Sequence, residues 1–178
     1  SADTHRSVMT WVRPSFTKSM AKADMVAVWD DLPKSLASRL GYNGKVDEAE
    51  LWKQVLYKTL RTRVDAWQAE VLFGGYDPEH EGPGKDTSDS KALWAKECDQ
   101  ARQLQLGFST YVLPLISRET VEGKTLATRV LALPENISDH GTNMVEYIVD
   151  RGRVSTVKEV ERVKQEIMKL KFGLGASY

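Results

Sequence analysis

The chain has 178 residues, with 25 basic and 25 acidic side chains, three histidines and one cysteine. That length buries a sizeable core without staples, and the lone Cys98 excludes an internal disulfide framework or a multi-cysteine zinc site. A formal net charge of zero supplies no field to gather polyanions, and no apolar run approaches the roughly 18 residues of a spanning helix.

Residues 1–16 read as an N-terminal arm before the first helix. Its stretch MTWVRPSF carries Trp11, Val12 and Phe16, which either lie across a neighbouring protein or fold back on the chain's own bundle. Arg6, Arg13 and Lys18 against Asp3, with several hydroxyls, echo transit-peptide composition, and the start at Ser1 implies loss of a methionine or a longer leader.

Thr17 to Asp30 is predicted as a well-buried helix through Met20, Met25, Val26, Val28 and Trp29, and Pro33 to Leu40 as a short one that stops at Gly41. GYNGK, Gly41 to Lys45, lacks the spacing of a phosphate-binding loop. Asp47 and Glu50 then have the form of a capping box opening a long helix to about Phe73. Its stripe is Trp52, Leu56, Leu60, Val64, Trp67 and Val71, widened by Leu51 and Val55, with Lys53, Lys58, Arg61 and Asp65 left to solvent. Leu56-Tyr57-Lys58 resembles the Leu-Tyr-Arg tripeptide of small helical mitochondrial accessory proteins that dock an acyl carrier protein. The likeness covers three residues, with lysine in place of arginine, and no site is carried over from it.

Gly74 and Gly75 end that helix, and a loop runs to Ser90. Its GPGK, Gly82 to Lys85, is not a phosphate cradle, because Asp77, Glu79, Glu81, Asp86 and Asp89 would repel the ligand. His80 is the loop residue left to probe for binding. A second long helix is expected from Lys91 through Leu113, capped by Ser90 or Asp89 and stopped by Pro114, with Gly107 bending it or admitting a close neighbour. Leu115–Glu122, Lys124–Leu133 and Asn143–Arg151 read as shorter helices, with a strand competing over Leu126–Leu133. Thr156 and Glu159 suggest a cap for a C-terminal amphipathic helix, with Val157, Val160, Val163, Ile167 and Leu170 as a narrow stripe before Gly173. Residues 143–165 also invite a helix-turn-helix reading about Gly152, but Lys158 falls where the second helix must bury an apolar side chain, so nucleic-acid contact is not expected.

The fold expected is therefore all-α: an irregular bundle round two long antiparallel amphipathic helices, one domain over 17–173, with 74–90 the place where it could divide into lobes, and a tail over 174–178. His5, His80 and His140 lie in separate segments without metal-ligand spacing, and no nucleophile elbow or carboxylate dyad stands out, so no catalytic residue, metal or cofactor is expected. Five tryptophans and two apolar-tipped ends point to partners instead: Trp11, Val12 and Phe16 at one end, Phe172, Leu174 and Tyr178 at the other. The function expected is a non-catalytic subunit that packs on a larger protein assembly, in the setting of a mitochondrial respiratory or ATP-synthase complex. The alternative is a self-assembling coat or nucleocapsid-type protein, and an enzyme with a dispersed site comes third.

Overall fold

The computed structural model describes residues 10–176, the side chains of 152–159 and 172–176 excepted, and among them there is no strand. An isolated parallel bridge joins Tyr42 to Ile116. The chain is all-helical, as its periodicities require.

Thr17 to Asp30 does not form the expected helix. It makes two 3-10 turns, Met20–Lys22 and Ala27–Trp29, separated by extended backbone at Ala23. Asp24 is the cause: its carboxylate accepts from the amides of Val26 and Ala27, offering the backbone a local alternative to the helix. Met25 and Trp29 are nonetheless buried. Helix α1, Lys34–Arg39, follows Pro33 as expected.

The expected helix from Asp47 to Phe73 is two helices, α2 (Ala49–Arg61) and α3 (Ala66–Phe73). The capping box is not at Asp47 but at Asp65, whose side chain accepts from the Gln68 amide while Gln68 reaches back to the Asp65 amide. The stripe Trp52, Leu56, Leu60, Trp67 and Val71 is buried, whereas Leu51 and Val55 face outward rather than widening it. Tyr57 packs beside Phe73 and Phe108, so the tripeptide at 56–58 is largely a core element.

Within the 74–90 loop a single helical turn, α4 (Pro78–Glu81), is capped by Asp77. Helix α5 (Ser88–Val112) is capped by Thr87 rather than Ser90 or Asp89, and Pro114 falls in a 3-10 turn, Leu113–Leu115. Gly107 admits a close neighbour: a β-carbon there would lie 2.1 Å from the Trp29 ring. Helix α6 (Val121–Leu131) replaces both short helices expected over 115–133, and α7 (Glu135–Ser138) follows Pro134. The last helix, α8 (Gly141–Ala176), is continuous through Gly152 and past Gly173, so there is no turn of the helix-turn-helix kind and no cap at Thr156.

The buried side chains form one cluster running from Met25 to Val149. Helix α5 makes its most extensive contact with α8, and α3 also packs on α5, while α2 turns towards α8. The α5–α8 approach depends on Gly141, whose added β-carbon would meet the Phe108 ring at 2.4 Å. Beside it Gln105 and Thr142 lock the helices: the Thr142 amide donates to Gln105 Oε1 at 2.9 Å, and the Thr142 hydroxyl donates to the Leu72 carbonyl at 2.8 Å. Phe108 itself stacks on Trp29, 4.9 Å between centroids and 6° between planes.

Candidate functional site

Glu97, on α5, is the one acid fully withdrawn from water among the described residues, at 3% exposure. A carboxylate in that position is stable only with donors for its lone pairs and a countercharge. Arg13 Nη2 donates to Oε1 at 2.9 Å, while Trp67 Nε1 and the Tyr76 hydroxyl donate to Oε2 at 2.8 and 3.1 Å. Arg13 also donates through Nη1 to the Gly82 carbonyl at 2.6 Å, in a turn where Gly82 holds φ at +74°. Burial, reinforced by the Glu97 charge, pushes the Tyr76 phenol up to about 12, so Tyr76 stays a neutral donor.

This cluster latches the N-terminal arm to the bundle. Trp11 lies on Tyr76 with centroids 5.7 Å apart, and Phe16 lies on Trp67 at 4.9 Å. The described part of the arm, residues 10–16, folds back on its own chain. It still presents apolar surface, since Trp11 is 54% and Val12 82% exposed, whereas Phe16 packs against the core. The other four tryptophans are structural anchors: Trp29, Trp52, Trp67 and Trp94 each donate their indole N–H to a partner within the chain.

A cleft of about 390 Å³ opens between α5 and the start of α8, lined by Tyr76, Asp77, Cys98, Arg102, His140 and Thr142 among others. Its polar groups are already engaged. His140 Nδ1 accepts from the Asn143 amide at 3.1 Å, capping α8, and burial holds its pKa below the ordinary value. Arg102 pairs with Glu79 at 2.6 Å. Cys98 is buried, and burial pushes its thiol up, the opposite of nucleophile activation. Among the described residues no three His, Cys, Asp or Glu side chains gather where they could hold a metal ion. His80 is exposed on α4.

The other feature is α8 beyond the body. Met144, Val145, Ile148 and Val149 are buried, and Arg151 Nη2 donates to the Tyr42 hydroxyl and the Gly44 carbonyl, both at 3.1 Å. From Val160 to Lys171 every residue is exposed. Val160, Val163, Ile167 and Leu170 are 47, 41, 58 and 71% exposed along the predicted narrow stripe. Phe172 and Leu174 continue the helix, although their side chains, like Tyr178 as a whole, lie outside the described residues.

Sequence reasoning placed the stripe of α8 and the apolar arm but missed Glu97. Its only signal was Trp-Ala-Lys-Glu, an acid one turn after a tryptophan on a helix face, and nothing local marks it as the partner of Arg13. No helix among the described residues is long and apolar enough to cross a membrane. Compared with protein-family models, curated proteins and solved structures, the chain finds no match in any of the three.

Proposed function

We propose that this chain is a non-catalytic structural subunit that packs on a larger protein assembly and holds neighbours together. One observation carries the reading: α8 leaves the body and exposes an apolar stripe over 160–171 that none of the described residues covers. A helical segment polar on three sides and apolar on one is marginal alone in water and is stabilised by burying that stripe. The arm adds Trp11 and Val12 as a second exposed apolar surface on a rigidly latched base. As its setting we propose a mitochondrial multi-subunit complex of the respiratory or ATP-synthase type, on the basic, hydroxyl-rich composition of residues 1–18.

The native mass of the particle containing the chain tests the reading. On gradient sedimentation of a mitochondrial extract the chain is expected well above its own 20.0 kDa and above twice that mass, and deletion of residues 160–178 should return it to low mass. A native chain found at monomer or dimer mass, or outside mitochondria on fractionation, would overturn the assembly or the compartment respectively.

A further inference from the structure

We infer that the free half of α8 is one strand of a parallel two-stranded coiled coil, and that its partner is α8 of a second copy of this chain. This rests on the structural reading above and names the first neighbour that the exposed stripe engages.

The spacing sets the register. Val160, Val163, Ile167 and Leu170 follow one another at steps of three, four and three, and Leu174 continues the pattern by four. That is the alternation of a and d positions in a heptad, a seam narrower than the face a helix buries against a globular core. In that register Val160, Ile167 and Leu174 stand at a and Val163 and Leu170 at d, so two of the three a positions are β-branched and Leu170 is the d residue that favours two parallel strands.

The flanking charges choose the partner and its direction. In this register Glu159 and Glu166 occupy g, and Lys164 and Lys171 occupy e. Two parallel copies therefore set Glu159 against the partner's Lys164 and Glu166 against the partner's Lys171, four attractive pairs by symmetry. An antiparallel pair would instead set glutamates against glutamates and lysines against lysines. The surface is thus complementary to itself in one orientation. Glu166 also lies 2.7 Å from Arg162 on its own helix, but an exposed pair of this kind is weak and does not compete strongly. From Val160 to Leu174 the seam spans only about 21 Å at 1.5 Å per residue, so the dimer dissociates on dilution. The interface is isologous and closes on itself, giving dimers rather than filaments.

Sedimentation velocity on the purified full chain across a concentration series tests this, with far-UV circular dichroism confirming that each variant is folded. A reversible monomer–dimer equilibrium is expected, and Ile167→Lys should leave a folded monomer. Two further variants separate recognition from mere stickiness: an acidic chain, Lys164→Glu with Lys171→Glu, and a basic chain, Glu159→Lys with Glu166→Lys. Each alone should dimerise about tenfold or more weakly than the natural chain, and their mixture should recover a heterodimer, because four repulsive contacts become four attractive ones. A natural chain that stays monomeric at the highest concentration, a dimer untouched by Ile167→Lys, or a mixture no stronger than its components would overturn the inference. A monomeric pure chain that still enters a large native particle in an α8-dependent way would overturn only the second copy. A dimer with no larger native particle would leave the coiled coil standing and sink the assembly reading.

Discussion

Replacing Arg13 with alanine should release the N-terminal arm and destabilise the bundle, because it strips the buried Glu97 carboxylate of its countercharge. The Glu97 side chain is 4% exposed and keeps two neutral donors, Trp67 and Tyr76, when the guanidinium leaves. Breaking a buried pair costs about 3–5 kcal/mol, but the Arg13 side chain is 27% exposed, so water reaches the vacated side and about 2 kcal/mol is the expected loss. Glu97→Ala removes the acceptor for three donors and leaves Trp67 and Tyr76 unsatisfied, for about 3–5 kcal/mol. Once the carboxylate is gone, Arg13 keeps only the Gly82 carbonyl and its place over the Tyr76 ring, so the double variant should be somewhat worse than Glu97→Ala but well short of the sum, a coupling of about 1–2 kcal/mol. Urea unfolding followed by circular dichroism gives the four corners of the cycle. Trypsin gives an independent readout, since Lys18 and Lys22 should be cut faster in Arg13→Ala under native conditions. The reasoning fails if Arg13→Ala costs under about 0.5 kcal/mol, as a surface pair would, or if the two losses simply add.

Three further outcomes follow from particular contacts. Burial lowers the His140 pKa below its ordinary 6.5 and outweighs a backbone hydrogen bond and the Asp77 charge, which act against it, so the fold favours the neutral ring that accepts the Asn143 amide. That stabilisation is present above pH 6.5 and is lost as pH falls towards the folded pKa; His140→Asn should keep the cap and flatten the dependence between pH 7 and 5, and an unchanged slope would count against it. Gly107→Ala gains about 1 kcal/mol of helix propensity but drives a β-carbon to 2.1 Å from a Trp29 ring already stacked on Phe108. Overpacking of that kind costs about 1–3 kcal/mol, so a net loss is expected in the urea midpoint, and a net gain would show that Trp29 moves freely. The Tyr57 hydroxyl is buried without a hydrogen-bond partner, so Tyr57→Phe should be neutral or stabilise by about 1 kcal/mol, read as an unchanged or higher Tm; a fall beyond that range would reveal a partner for the hydroxyl.

The helical class was legible because Trp52, Leu56, Leu60, Trp67 and Val71 repeat at helical steps, and all five are buried. The same regularity hid the break at 62–65, since Val64 kept the rhythm while Asp65 and Gln68 carried the capping box that ends it. Conversely, Gly152 and Thr156 looked like an end and a fresh start, yet Arg151, fixed on Tyr42 and Gly44, sets the helix direction just before the glycine. One glycine costs about 1 kcal/mol, too little to stop a helix anchored on one side and, from Lys158 onward, rich in lysine, glutamate and other strong helix formers. Glu97 was illegible for another reason: its partners Arg13, Trp67 and Tyr76 come from three segments, and only the fold brings them together.

The latch and the projecting helix also constrain each other. A parallel coiled coil fixes two bodies side by side with the same orientation, so each dimer would carry two arms, each held at Glu97 with Trp11 outward. A single Trp11–Val12 surface is small and would hold a neighbour only weakly. Two on one frame would bind as a pair, the second contact forming at the high effective concentration set by the first. Monomerisation by Ile167→Lys should therefore weaken attachment to the native particle by far more than the loss of the stripe alone, even though the arm is untouched. If the arm carries that second contact, Arg13→Ala should produce the same drop in a chain that still dimerises. Equal retention of the Arg13→Ala chain and the natural chain on the particle would show that the arm is only a strut for its own bundle.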